Sequence, residues 1–517
     1  MPNPAAYQLE GVAMTDVVSI DPRTGEAVEV VAPETSKNEV DRLCSTALAA
    51  APGLDALGRT GRAGLLRAFA DALEGRRDDV VAVADRETAL GTTRLNSELT
   101  RTCYQLRLFA EVLEEGSYLE AAIDHAGDTP MGPRPDLRRM LVPIGPVAVF
   151  GSSNFPLAFS VPGGDTASAL AAGCPVVVKA HGSHPATSQL AFDIMAATAR
   201  EAGAPEGTVG VVHGLQAGAD LVAHPAIQAV GFTGSLNGGR ALQRIIDQRP
   251  NPIPFFGELS SLNPVVVTPQ AAAERGDTIG RELVGSFTLG AGQFCTKPGL
   301  VFVPAGLDGD RLVDAMAQAV RGTGPQVLLN EGIATSYGRI SDRLAAVPGV
   351  EEIARGGELS GRGFEAVPRL LEASAGSLPH EVTEECFGPV AVVARYDGEK
   401  ELFSALDAMP SSLTATVLRA GGESDLPLAV SQGLRTRAGR LVYDAYPTGV
   451  AVSWAQHHGG PWPSTNSQHT SVGTTAIRRF LRPVTWQNAP QEVLPDELTD
   501  GYRGIPRRVD GRLELPS

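Results

Sequence analysis

The most constraining feature of this sequence is an alternation of short apolar runs and amphipathic stretches between residues 146 and 233. The apolar runs predict strands at 146–150, 175–179, 209–212 and 229–233. The intervening stretches predict helices at 165–172, 189–200 and 219–224. Strands that alternate with helices form parallel sheets covered on both faces. We therefore predict the α/β class with a Rossmann-like, doubly wound sheet that binds ligands at the carboxyl ends of its strands.

The chain has 517 residues, which is too long for one hydrophobic core and indicates several domains. Helical periodicity dominates 36–123, where Ser36 is a predicted N-cap, and a second α/β region follows from about 263 to 455. The predicted division is a cofactor-binding domain of 1–123 and 146–262, a catalytic domain of 263–470, and bridging or oligomerisation segments at 124–145 and 478–517.

The net charge of −16 disfavours binding to nucleic acid and to anionic membranes, because like charges repel. The first residues resemble no signal peptide, and no stretch approaches the roughly 18 apolar residues of a membrane-spanning helix. The five cysteines are scattered and odd in number, as in proteins of a reducing compartment. We predict a cytoplasmic protein without nucleic-acid or membrane partners.

Three segments carry a thiol, a carboxyl and a side-chain amide, at Cys295, Glu258 and Asn154. Such groups can attack a carbonyl carbon, activate water against the resulting thioester, and hold the oxyanion between these steps. Alone, each has an ordinary interpretation: a buried structural cysteine, a salt-bridged carboxylate and a turn-forming asparagine. Their joint occurrence favours catalysis.

These segments resemble those of the aldehyde dehydrogenase family in order and spacing. Further segments that fit the family are 176–179, 231–235, 262–264, 384–389 and 459–460. The resemblance implies NAD(P)-dependent oxidation of an aldehyde to an acid through a thioester on Cys295, in a homodimer or homotetramer. Two alternatives stay open: a catalytically silent binding protein on the same scaffold, and a relative in which coenzyme A replaces water.

The predicted cofactor site begins at 231–235, where a strand ends and a helix opens. Free backbone N–H groups at Gly234 and Ser235 can face a pyrophosphate. By resemblance, Glu385 and Phe387 contact the nicotinamide-side ribose and the ring.

Lys179 ends a predicted strand, where a cation can contact the adenosine ribose or its 2′-phosphate. By resemblance, NAD-preferring relatives carry a glutamate three positions later, where this chain has Gly182. The missing carboxylate removes repulsion against the extra phosphate of NADP, which Lys179 and His181 can pair with. We predict NADP as cofactor, with NAD as the alternative.

Arg101 and Gln105 lie one helical turn apart, so a shared face would suit a carboxylate and a 2-oxo group; alternatively, Arg101 faces solvent. The segments 151–156 and 180–185 resemble a branch of the family that oxidises α-ketoglutaric semialdehyde with NADP and also contains a long-chain aldehyde dehydrogenase. We predict oxidation of α-ketoglutaric semialdehyde to 2-oxoglutarate, with long-chain aldehydes as the alternative. The substrate channel is predicted to contain Phe155, Phe159 and Trp462.

Histidines cluster near the C-terminal end at His457, His458 and His469. No neighbouring carboxylate or cysteine completes a metal-ligand spacing. We predict no metal site and a structural or substrate-lining role for these histidines.

Overall fold

A computed structural model describes residues 16–516. Its first sheet is parallel throughout, as the alternation predicts. The strands in spatial order are Phe255–Glu258, Ala229–Thr233, Val147–Phe150, Val176–Lys179 and Val209–Val212. Two of them begin just after Pro146 and Pro175, because proline has no amide hydrogen to donate to a neighbouring strand.

Helices cover both faces of this sheet. They are Lys37–Ala56, Gly58–Gly75, Arg77–Thr88, Thr92–Glu115, Gly164–Ala172, Pro185–Glu201, Leu215–Ala223 and Leu236–Asp247. Ser36 is the N-cap of the first helix, as predicted. Its side chain accepts a hydrogen bond from the Glu39 N–H at 3.3 Å. Phe69 and Phe109 from two of these helices are fully buried with strand residues in one core. Within residues 16–516, every helix is too short or too polar to cross a bilayer.

The second α/β region contains a larger sheet. Its strands in spatial order are Val350–Arg355, Arg369–Ser374, Val390–Tyr396, Leu300–Pro304, Val265–Val267, Ser412–Leu418 and Ala438–Tyr443. Only the edge strand Val350–Arg355 is antiparallel to its neighbour among these described strands. Its helices are Pro269–Thr288, Leu307–Arg321, Glu331–Ala345, Glu399–Ala408 and Asp425–Leu434. The chain passes from the first sheet to the second between Glu258 and Val265.

A third, mainly antiparallel sheet joins distant parts of the chain. It contains Leu481–Gln487, Leu137–Pro143, Ala122–Asp124, Arg507–Val509 and Arg512–Glu514. The tail therefore returns to the extended segment predicted near residue 138.

Short strand pairs and 3-10 helices complete the structure. The pairs are Asp16–Asp21 with Glu26–Pro33, Gly127–Thr129 with Gly132–Arg134, and Gln326–Val327 with Glu365–Ala366. The 3-10 helices are Ser117–Leu119, Leu289–Gly292, Ala375–Ser377, His380–Thr383, Thr474–Phe480, Gln491–Val493 and Asp496–Leu498.

Candidate active site

Cys295 follows the kinked turn Leu289–Gly292, which brings the thiol to the junction of the two large sheets. Gly292 has φ +68°, and a Cβ there would lie 2.2 Å from the Gly388 carbonyl oxygen, so a larger residue would force the turn away. Asn263 holds the loop from the other side, because its amide donates to the Cys295 carbonyl oxygen at 2.8 Å. Cys295 is half-buried, whereas the other four cysteines are buried.

Glu258 ends the edge strand of the first sheet and is buried. Its carboxylate accepts hydrogen bonds from Ser471 Oγ at 2.7 Å and from His458 Nε2 at 2.9 Å. Burial raises the pKa of Glu258, but the interactions with His458, Ser471 and Cys295 outweigh it and bring the pKa below the ordinary value. Glu258 is therefore ionised near neutral pH.

His458 links this carboxylate to the nucleophile. Its Nε2 lies 3.5 Å from Cys295 Sγ, and one donor atom from each of Glu258, Cys295 and His458 lies within 4.8 Å of the others. Burial and the negative charge of Glu258 raise the pKa of the Cys295 thiol well above its ordinary value.

No carboxylate or cysteine lies near His458 in the sequence, but both lie near it in the folded protein, so this part of the prediction is wrong. Glu258 and Cys295 reach it from remote segments, and all three are zinc-ligand types. Hydrogen bonds from His458 and Ser471 already occupy the Glu258 carboxylate. The absence of a functional metal stays a prediction.

Asn154 lies on the loop after strand Val147–Phe150 and is buried. Its Nδ2 donates to the Gln293 carbonyl oxygen at 2.8 Å, which leaves the second amide hydrogen for another acceptor. Arg94 donates to the Asn154 carbonyl oxygen at 2.6 Å, and Glu98 accepts the Leu157 N–H at 2.9 Å. Helix Thr92–Glu115 therefore fixes the loop that carries Asn154.

Phe155 and Phe159 form an aromatic wall beside the nucleophile, with ring centroids 5.2 Å apart. Phe155 also contacts Phe294, the neighbour of Cys295, at 5.3 Å. Phe159 lies 6.4 Å from the His458 ring. Two of the three predicted aromatic channel residues thus lie beside the candidate site.

Trp462, the third predicted channel residue, is placed elsewhere. It is 44% exposed, and the Arg240 guanidinium lies 5.1 Å from its ring. The prediction is not supported, because the indole packs on the outward helix Leu236–Asp247 rather than on the aromatic wall.

Arg101 and Gln105 point inward. Arg101 Nε donates to the Val450 carbonyl oxygen at 3.3 Å, and the guanidinium lies 5.1 Å from the Phe159 ring. Both terminal nitrogens of Arg101 and the Gln105 Oε1 are buried without a hydrogen-bond partner in the described part of the chain. Burial lowers the pKa of Arg101, while the nearby charges of Glu98, Cys295 and Glu258 raise it.

The candidate nucleophile opens into a cavity of about 700 Å³, within the usual size range of ligand pockets. Its lining includes the predicted residues Asn154, His181, Gly234, Ser235, Glu258, Cys295, Glu385 and Phe387. Ser235 caps helix Leu236–Asp247 by accepting the Gly238 N–H at 3.1 Å. The Gly234 N–H is not free as predicted, because it donates to the Glu258 carbonyl oxygen at 3.0 Å. A pyrophosphate would therefore bind at the start of helix Leu236–Asp247, which the cavity connects to Cys295. These residues fit a nicotinamide dinucleotide.

Glu385 faces this cavity from the loop between the 3-10 helix His380–Thr383 and the next strand. Its carboxylate accepts hydrogen bonds from Ser260 Oγ at 2.7 Å and from the Ser261 N–H at 3.3 Å. Burial raises the pKa of Glu385 above its ordinary value, although these two hydrogen bonds favour the ionised form and lower it in part.

Lys179 ends its strand as predicted but is not among the residues that line this cavity in the described chain. Burial lowers its pKa, and the nearby carboxylate of Glu34 raises it. Burial and the positive charges of His184 and Lys179 lower the pKa of His181 well below its ordinary value. His181 therefore contributes a neutral imidazole, so that a contact with a 2′-phosphate would be a hydrogen bond rather than an ion pair.

Several supporting residues had no assigned role in the site before the structure was known. Arg94, Glu98 and Ser471 were not singled out, although 94, 98, 101 and 105 recur at helical spacing as one polar stripe. Asn263 was noted only within the family segment 262–264, and His458 only as structural or substrate-lining, because their partners lie in remote segments.

Comparison with known proteins identifies the family. The model of the aldehyde dehydrogenase family matches residues 10–338. Alpha-ketoglutaric semialdehyde dehydrogenase 2 of Azospirillum brasilense is 45% identical over 96% of both chains. Alpha-ketoglutaric semialdehyde dehydrogenase of Acinetobacter baylyi is 44% identical over 93% of this chain and 92% of its own.

The solved structures include an NAD+ complex of an aldehyde dehydrogenase from Bacillus cereus. It superposes with a TM-score of 0.77 at 21% identity over 91% of this chain and 93% of its own, which confirms the predicted fold class. Because the family model spans more than half of the chain and the curated relatives span nearly all of it, the resemblance is confirmed, and this chain belongs to the aldehyde dehydrogenase family of NAD(P)-dependent enzymes.

Proposed function

We propose that this enzyme oxidises α-ketoglutaric semialdehyde to 2-oxoglutarate. The relatives from Azospirillum brasilense and Acinetobacter baylyi carry this substrate in their names and match almost the whole chain. The structural observation that carries the proposal is that both terminal nitrogens of Arg101 are buried without a hydrogen-bond partner among residues 16–516, near enough to Cys295 and Glu258 to interact with their charges.

Burying charged N–H groups without acceptors is costly unless a ligand pairs with them. A carboxylate can accept from both terminal nitrogens of Arg101, and Gln105 lies one turn further along the same helix. An alkyl chain offers neither oxygen. The polar face of helix Thr92–Glu115 therefore favours a short, charged aldehyde over a long aliphatic one.

In the proposed reaction, the Cys295 thiolate attacks the aldehyde carbon, and the Asn154 side-chain amide with the Cys295 backbone N–H holds the oxyanion. Preorganised donors of this kind typically lower a barrier by roughly 3–4 kcal/mol each. The bound nicotinamide supplies the hydride acceptor. Glu258, ionised and buried, then removes a proton from the water that hydrolyses the thioester.

The proposed substrate is tested by a kinetic panel that compares α-ketoglutaric semialdehyde with hexanal and longer aldehydes. We expect wild type to prefer the keto-semialdehyde. Arg101→Leu should lower kcat/KM for it by about 100-fold, because a charge-assisted pair is lost, and change kcat/KM for hexanal little.

Arg107→Leu is the matched control, since Arg107 lies on the same helix but pairs with Asp71 at the surface. A wild-type preference for hexanal contradicts the proposed substrate. A preference for the keto-semialdehyde that survives Arg101→Leu contradicts only the role of Arg101.

We further propose that NADP is preferred over NAD. A Cβ at Gly182 would have no atom within 4 Å, so the position leaves open space where a carboxylate would otherwise stand. Lys179 supplies a partly buried positive charge at the end of strand Val176–Lys179, and His181 supplies an imidazole N–H, because its Nδ1 accepts the Ser183 N–H. Glu34 acts against this preference, because its carboxylate lies near Lys179 and would repel a 2′-phosphate.

Gly182→Glu should lower kcat/KM with NADP by at least about 10-fold through charge repulsion and affect NAD much less. Gly182→Gln controls for size without charge and should change the two cofactors equally. The measurement is kcat/KM for each cofactor at a saturating aldehyde concentration. Equal or better performance of wild type with NAD would overturn the proposed preference.

The proposed division assigns cofactor binding to 1–123 with 146–262 and the nucleophile to 263–470. Residues 1–15 of the first range lie outside the described residues. The third sheet, from 124–145 and 478–517, is proposed to join subunits into a homodimer or homotetramer. Within residues 16–516, its edge strand Leu481–Gln487 has one backbone side without a neighbouring strand, which a second copy can use.

A further inference from the structure

His458 is one of the most enclosed polar residues near Cys295. Its side chain is 0% exposed, and its backbone is locked by a hydrogen bond from its N–H to Thr470 Oγ1 at 2.7 Å. The ring Nδ1 has no hydrogen-bond partner among residues 16–516, so the polar contacts of the ring all lie on the Nε2 side. The ring is thus held with one nitrogen directed at the reacting groups.

That nitrogen has two neighbours: Glu258 Oε1 at 2.9 Å and Cys295 Sγ at 3.5 Å. Glu258 is ionised and can only accept, so Nε2 must carry the hydrogen. A single N–H directed at two acceptors bonds the one with the greater negative charge. In the resting enzyme that acceptor is the carboxylate, as the shorter distance indicates.

We propose that His458 is a catalytic residue that transfers its Nε2–H hydrogen bond from Glu258 to Cys295 when the thiol gives up its proton. The proposal rests on the proposed role of Cys295 as nucleophile. The S–H bond breaks, an O–H bond forms on Glu258, and the negative charge moves from carboxylate to sulfur. The imidazole loses no proton, and its N–H follows the charge.

This transfer of the hydrogen bond explains how a thiolate can form at Cys295 despite unfavourable surroundings. Burial and the adjacent Glu258 charge disfavour a thiolate at Cys295, yet the thiolate is the nucleophile. Moving the proton to Glu258 neutralises the repelling charge, and the freed N–H then stabilises sulfur. Glu258 must release that proton to water in the cavity before it can serve as base towards the hydrolytic water, and the returning N–H of His458 favours this ionisation.

Other charged groups also face the thiol. They are Glu385, which opposes thiolate formation, and Arg440 and Arg101, which favour it. His457 is the titratable neighbour of His458. Only His458 among these described groups touches both Glu258 and Cys295.

The test is the pH dependence of Cys295 alkylation by iodoacetamide, without aldehyde or cofactor and with a chelator present so that bound metal cannot mask the thiol. The other four cysteines are buried, so the modified peptide identifies Cys295. His458→Phe keeps a ring but has no donor and should raise the alkylation midpoint by about one pH unit or more. The alkylation rate at neutral pH should fall about tenfold.

His458→Gln keeps an N–H donor and should restore most of this difference, while His457→Leu should leave the midpoint unchanged. An alkylation midpoint in His458→Phe equal to that of wild type overturns the proposal. A shift in His458→Gln as large as that in His458→Phe also overturns it, because loss of the imidazole ring would then explain both shifts without any N–H donor. Since no aldehyde is present, the result is independent of the proposed substrate.

A second measurement covers a His458→Phe protein that fails to fold. Glu258→Gln removes the charge that competes for the N–H, so the alkylation midpoint of Cys295 should fall below that of wild type. A midpoint that stays level or rises overturns the proposed transfer.

Discussion

Replacing Cys295 with alanine is expected to abolish aldehyde oxidation. Without a thiol there is no covalent intermediate from which hydride can leave, and loss of a nucleophile typically lowers kcat by about 10⁴-fold or more. The measurement is the initial rate of cofactor reduction with α-ketoglutaric semialdehyde.

Cys44→Ala is the control for this experiment, because Cys44 is buried in a separate core of the first sheet. It should retain activity within a few-fold of wild type. Cofactor reduction by Cys295→Ala at the wild-type rate would exclude a thioester on Cys295 and would indicate a different nucleophile.

Replacing Glu258 with glutamine is expected to stop the reaction after hydride transfer. Glutamine has nearly the same shape but cannot take a proton from water, so steady-state turnover should fall by about 10²- to 10⁴-fold. Acylation should persist, because the oxyanion donor Asn154 is unchanged and the Cys295 thiol, no longer next to a negative charge, can lose its proton to water. Rapid mixing should therefore show a burst of reduced cofactor close to the enzyme concentration, followed by slow turnover.

Coenzyme A supplies the complementary control for thioester release. Wild-type turnover should not rise when coenzyme A is added, because Glu258 directs water to the thioester. Stimulation by coenzyme A would indicate an acylating enzyme. Absence of a burst in Glu258→Gln would show that acylation itself requires the Glu258 carboxylate, and that its effect on turnover is not confined to thioester hydrolysis.

The first sheet could be predicted from sequence because its information is local. Runs such as 176–179 and 229–233 are short, apolar and bounded by turn residues, so strand and helix ends fall within a few residues of their predicted positions. The meeting of Asn154, Glu258 and Cys295 in one cavity was also predicted, because the family resemblance supplied their shared role.

Side-chain direction and remote contacts could not be predicted in the same way. The spacing of Arg101 and Gln105 defined a face but not what the face meets, since the partner Val450 lies far along the chain. His458 reaches Glu258 only because the segment after the second sheet folds back over the first. Trp462 lies on that same segment but on its outer side.

The central claim is that the substrate aldehyde becomes an acyl thioester on Cys295. Mass spectrometry of Glu258→Gln, quenched after mixing with α-ketoglutaric semialdehyde and NADP, tests it most directly. We expect the 2-oxoglutaryl group on the peptide that contains Cys295, in an amount equal to the burst of reduced cofactor. Cofactor reduction without any acyl group on Cys295 would contradict the claim.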